Sequence, residues 1–81
     1  MTVRISSDEK TVNLFVDGDI YEEHAECLKH MTLAYARRGI KNLEIQLCSA
    51  YYISAKSQQC LRFMRDRLCG QGVRVSFKPN I

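Results

Sequence analysis

The sequence predicts an α/β domain with the element order β-β-α-β-α-β: a mixed four-stranded sheet with two helices on one face. Three observations lead there. Two alternating segments near the N-terminus are joined by a short polar turn. Two longer stretches repeat their apolar residues at helical spacing, and each stops at glycine. The stretch from Ile40 to Pro79 reads strand, loop, helix, glycine stop, strand. A strand-helix-strand unit of that length normally makes two parallel strands with a right-handed crossover. The N-terminal pair is an antiparallel hairpin, so the sheet is mixed.

Residues Thr2 to Ser6 form the first strand, with Val3 and Ile5 on one face. Ser7-Asp8-Glu9-Lys10 is the polar turn. Thr11 to Asp17 then alternates, with Val12, Leu14 and Val16 on one side and Asn13 and Phe15 on the other. This pairing of alternating runs across a turn is a hairpin signal. Asp17-Gly18 is expected to end the second strand.

Asp19 reads as the N-cap of the first helix, supported by Glu22 three residues later. The helix is expected to run to about Arg38 and stop at Gly39. At about 100° per residue, Tyr21, His24, Ala25, Leu28, Met31, Thr32 and Tyr35 share one face. Glu22, Glu26, Lys29, His30 and Arg37 share the other, and Leu33 falls among these charges. His24, at the apolar edge, reads as a half-buried packing residue.

Leu43 to Leu47 is the third strand, alternating with Glu44 and Gln46, so only one sheet face is expected to be covered. The segment that follows, from Cys48, reads as a loop. Ser54 caps the second helix, whose buried stripe is Ser57, Cys60, Leu61, Met64 and Leu68. Gln58, Arg62, Arg65 and Asp66 lie opposite, and Phe63 is displaced toward the polar side. Gly70 and Gly72 end the helix. Val73, Val75 and Phe77 make the last strand, and Pro79 ends it.

The bulk properties set limits. Eighty-one residues make one small domain, taken as residues 1–81. No apolar run approaches the roughly 20 residues of a membrane span, so no membrane insertion is expected. Met1 to Asp8 lacks the apolar core of a signal peptide, so a cytoplasmic location is expected. Cys27, Cys48, Cys60 and Cys69 form no C-x-x-C pair and read as small reduced thiols. His24 and His30 are six apart on one helix and point in different directions, so neither a metal nor another cofactor is expected. The net charge of +3 is uneven: residues 1–55 carry six Lys/Arg and eight Asp/Glu, whereas residues 56–81 carry six Lys/Arg and only Asp66. Such a basic C-terminal part suits an acidic partner, anionic lipid or nucleic acid, and is more often just a solvated helix face. With a small net charge and no binding motif, nucleic acid is not an expected partner. No nucleophile-base order, phosphate loop or metal spacing is present, which argues against an enzyme.

Three landmarks carry a resemblance. Gly18-Asp19-Ile20 opens the first helix. Ile40 to Tyr52-Ile53 is a hydrophobic strand followed by an aromatic-Ile pair. Gly70-Gln71-Gly72-Val73-Arg74-Val75 runs into Lys78-Pro79. In this order and spacing the chain, from Val3 to Pro79, resembles a STAS domain, the fold of bacterial anti-sigma-factor antagonists. The resemblance implies a signal-transduction module that regulates transcription by binding a partner protein. In that family the second helix opens with an Asp-Ser-Ser-Gly-like turn whose second serine is phosphorylated by the partner kinase.

That turn falls here on Ser54-Ala55-Lys56-Ser57. Ser54 stands at the family's Asp, Lys56 at its phosphorylated serine and Ser57 at its Gly, while Tyr21 replaces the acid that follows Gly-Asp-Ile. A lysine neither holds that phosphate stably nor imitates it. Binding is therefore expected to lack the usual phosphorylation switch. Lys56 opposes the helix dipole, which also suits an acidic partner. The residues expected to bind a partner are Asp19, Tyr21, Tyr51, Tyr52, Lys56, Gln59, Arg62, Phe63 and Arg67, since aromatics and arginine are enriched at interface centres.

The resemblance implies a GHKL-type serine kinase or anti-sigma factor as partner. A STAS subunit clamping the ATPase of an ABC-type lipid transporter is the alternative. A third is a self-assembling homo-oligomer: many family members continue past Pro79 with a further helix, and apolar surface left open there would favour association.

Overall fold

The computed structural model describes residues 1–81. The elements are β1 (Thr2–Ser7), β2 (Thr11–Ile20), α1 (Glu22–Arg37), β3 (Asn42–Ile53), α2 (Ala55–Cys69) and β4 (Arg74–Lys78). The sheet order is β1-β2-β3-β4. β1 and β2 are antiparallel, and β2–β3 and β3–β4 are parallel. The mixed four-stranded sheet and element order are those expected.

Register explains the core. Ile5, Leu14, Ile45 and Phe77 form one row across the four strands, and Val12, Leu43 and Val75 form the next. All but the edge residue Ile5 are buried. Onto this face α1 packs Ala25 and Leu28, and α2 packs Leu61, Met64 and Leu68, making one contiguous apolar cluster. Thr32 is buried on α1, and its hydroxyl donates to the Leu28 carbonyl at 2.7 Å, which satisfies it within the helix.

The intervening rows face away from the helices and are polar apart from Phe15. Arg4 lies over the Phe15 ring at 5.6 Å, Gln46 donates to Asn13 at 3.4 Å, and Lys78 pairs with Glu44 at 3.3 Å. One sheet face is covered and the other is open.

Both helices end in the same way. The Ile40 amide donates to the Tyr35 carbonyl and Gly39 to Ala36, while Val73 donates to Leu68 and Gly72 to Cys69. These paired bonds are Schellman closures, which place one residue in the left-handed region. Gly39 (φ 94°) and Gly72 (φ 83°) occupy it. A side chain there would meet no neighbour within 4 Å, so only backbone conformation demands glycine.

Four expectations need correction. β2 does not end at Asp17-Gly18 but continues to Ile20, because Gly18, Asp19 and Ile20 stay paired with β3. Asp19 is therefore a strand residue and not a cap; the N-cap is Tyr21, which supplies no side-chain cap bond. β3 runs to Ile53, so the segment from Cys48 is strand, not loop. Leu33 does not stand among solvated charges; it is half-buried against the core.

Leu14→Ala is expected to cost about 2–5 kcal/mol, from lost burial plus the cavity left in the central row. Gly39→Ala is expected to cost roughly 1–2 kcal/mol, from left-handed backbone strain alone. Urea unfolding of both variants measures the two effects.

Candidate functional site

β2 and β3 are parallel, so their C-terminal ends lie at the same edge of the sheet, and α1 and α2 both begin there. The Ser54 amide donates to the Ile20 carbonyl at 3.1 Å, which brings the two helix entrances together. In α/β sheets the carboxyl edge is the usual place for binding surfaces.

β3 carries two more residues than β2 along this run. Phe15 faces Gln46 but Asp17 faces Ser49, and Gly18 faces Ala50 but Asp19 faces Tyr52. Tyr51 is thus the extra residue of the second bulge. A bulged residue leaves the ladder and re-aims its side chain, and Tyr51 is 88% exposed. Tyr52 turns instead toward Tyr21, with ring centroids 5.6 Å apart and planes at 50°. Tyr21 also lies 5.9 Å from His24. His24 accepts the Tyr21 amide through Nδ1 at 3.1 Å, the reciprocal capping-box bond that Glu22 was expected to supply. All three tyrosines are exposed.

The entrance to α2 is built differently. The Ser54 hydroxyl accepts the Ser57 amide at 3.1 Å and donates to the Ser57 hydroxyl at 2.7 Å. Both serines are buried. The Gln58 side chain donates to the Ile53 carbonyl at 3.1 Å, fastening the turn to the end of β3. Ser54 and Ser57 therefore form a closed capping pair. Ala55 and Lys56 are exposed on the first turn. The first turn of α1 carries Glu22 and Glu23, which suit its dipole, whereas the first turn of α2 has no acid.

The partner-binding candidates fall into two groups. Asp19, Tyr21, Tyr51, Tyr52 and Lys56 gather at the entrance. Gln59, Arg62, Phe63 and Arg67 continue along the exposed side of α2, with Arg67 about 16 Å from Lys56 along the axis. Phe63, 71% exposed, borders a small depression of about 120 Å³ with Lys29, Leu33, Met64 and Arg67. Beyond it lies a larger groove that includes Ala36, Arg37 and Lys41, residues the sequence did not single out. They come from α1 and the α1–β3 connection, and no local spacing links them to α2.

The resolved electrostatic shifts lie at one surface pair. The Lys29 ammonium bonds Glu26 at 2.9 Å, which holds the Glu26 carboxyl below its usual range and raises Lys29 above its own. A depressed carboxyl stabilises the fold above its unfolded pKa and loses that contribution as pH falls through its folded pKa. The pair is exposed, so the effect is small.

No protein-family model matches the chain, and no curated protein matches it by sequence. Solved structures match it closely in fold. One is a structure of Mglu, with a TM-score of 0.79 and 24% identity, covering 91% of this chain and 18% of Mglu. A second is the anti-sigma factor antagonist SpoIIAA in its unphosphorylated form, with a TM-score of 0.76 and 9% identity, covering 94% of this chain and 71% of that one. A third is an anti-sigma factor antagonist from Mycobacterium paratuberculosis, with a TM-score of 0.75 and 17% identity, covering 94% of this chain and 64% of that one. The chain thus has a STAS-like fold, and it spans less than a fifth of the Mglu chain.

Lys56→Glu is expected to raise stability by about 0.3–1 kcal/mol, because it replaces a cation with an anion at the positive end of α2. Ser54→Ala is expected to lower it by about 1 kcal/mol, through loss of the cap. Thermal and urea unfolding of the two variants should move in opposite directions.

Proposed function

We propose that the chain is a non-enzymatic protein–protein interaction module of the anti-sigma-factor-antagonist type. In this reading it docks a regulatory partner, a serine kinase or anti-sigma factor, in the cytoplasm. The observation that carries the reading is the exposed Tyr21, Tyr51 and Tyr52 group beside Lys56, at the edge where both helices begin. Exposed aromatics are strong interface anchors, each burying large area at little entropic cost. Lys56 stands on a helix turn where an anion would be favoured, so its charge suits a carboxylate of the partner better than it suits the fold.

The reading includes binding without a phosphorylation switch. Lys56 takes the position of the family's phosphoacceptor, and the neighbouring hydroxyls of Ser54 and Ser57 are buried and bonded to each other. A kinase would have to open the first turn of α2 to reach either one.

The test is a pull-down from the native cell with wild-type chain, Lys56→Glu and Tyr52→Ala as baits, read by mass spectrometry. A kinase-type regulator captured by the wild type and lost by both variants is the expected result. Lys56→Glu is expected to be more stable than wild type, so its loss of binding would not be a folding defect. Identical partners with all three baits would remove the entrance as the interface. Capture of a transporter ATPase would replace the kinase reading with the lipid-transport one. Intact mass after incubation with a captured kinase should show no stoichiometric phosphate on Ser54 or Ser57.

A further inference from the structure

At the other end of the helix pair, where α1 and α2 finish, lies a groove of about 530 Å³. Half-buried Leu33 and Ala36 form its apolar floor over the buried Leu68 and Val73, and its rim carries Arg37, Lys41, Arg67 and Gln71. No acidic side chain lines it. The smaller depression beside Phe63 shares Leu33 and Arg67 with it, so one track follows the α1–α2 seam from Phe63 to Lys41.

The three rim cations are unpaired. Lys29, Arg65 and Lys78 form ion pairs, and Arg4, Arg38 and Arg65 lie over aromatic rings, but Arg37, Lys41 and Arg67 do neither. Arg67 also repels Lys29 across the seam. Helix dipoles explain a preference for Arg37 and Arg67 in last turns. They do not explain Lys41, which lies in the connection to β3, nor an apolar floor beneath a ring of cations. The last amides and carbonyls of both helices are already joined by the Schellman closures, so the cations are not needed as caps.

We propose that this groove is a second docking site, distinct from the entrance, and that it takes an acidic amphipathic peptide segment of a protein partner. Leucine or phenylalanine side chains of the segment would lie on Leu33, Ala36 and Phe63, and its carboxylates would meet Arg37, Lys41 and Arg67. The combination selects this ligand. A phosphate backbone would gain nothing from the apolar floor. A bilayer is flat, whereas this site is concave between two helices.

The test titrates the full 15N-labelled chain with a short synthetic peptide alternating Glu and Leu with one Phe. Saturable shifts of the Ala36, Lys41 and Leu68 amides are expected. Binding should weaken about tenfold in Lys41→Gln/Arg67→Gln, and salt should weaken it further. These side chains are exposed, so the variant should keep the wild-type amide spectrum elsewhere. Lys56→Glu should bind the peptide like wild type, so this site and the entrance can fail separately. No saturable shift at the groove, or equal binding by the double variant, overturns the proposal. So does an equal or larger response there to a Lys/Leu peptide, a single-stranded oligonucleotide or phosphatidylserine vesicles.

Discussion

The parallel pairing of β2 with β3 is the constraint on which the rest depends. Two long strands run side by side from Thr11 and Asn42 to Ile20 and Ile53, and the Ser54 amide extends the pairing past the end of β3. Parallel neighbours need a crossover, and α1 supplies it. The same geometry makes both helices start at one edge. The side-by-side entrances, the Tyr21–Tyr52 contact and the exposure of Lys56 all follow from that pairing. So does the core, because the β2–β3 register aligns Val12 with Leu43 and Leu14 with Ile45 beneath the helices.

The two bulges of β3 make this edge a surface and not simply a strand end. Each extra residue shifts which side chains point toward the helices. Without the second one, Tyr51 would have a partner across the ladder and Tyr52 would not face Tyr21. Gly18, opposite Ala50, takes a left-handed φ of 90° between the two bulges. A small domain with few buried residues to spare thus exposes three tyrosines in one place. The opposite end of the helix seam has another character: cations over an apolar floor, where the entrance has aromatics around a single lysine.

The turn that opens α2 is held closed by its own serines. The hydroxyls of Ser54 and Ser57 serve the helix. One caps it and the other closes the pair, with both buried. Lys56 is left as the exposed charge of that turn. Local stability does not favour it there, since the helix dipole prefers an anion.

Periodicity and glycine placement were enough to determine the element order, the buried stripe of α2, the Ser54 cap and the covered sheet face, because each depends on residues close in sequence; on α1, Leu33 and Tyr21 escaped the pattern. Leu61, Met64 and Leu68 are buried for the reason their spacing implies, and Gly39 and Gly72 stop helices through their own backbone freedom. The sequence alone could not reveal that β2 and β3 run on to Ile20 and Ile53. Cys48-Ser49-Ala50-Tyr51-Tyr52 lacks alternation, and only pairing with a neighbouring strand keeps it extended. For the same reason Asp19, a good cap by local rule, became a strand residue, and His24, not Glu22, sits at N3 and bonds the N-cap amide. The tertiary structure alone joined Leu33, Arg37 and Lys41 to Arg67 and Leu68, since a groove between helices depends on how two distant segments pack and not on the spacing within either.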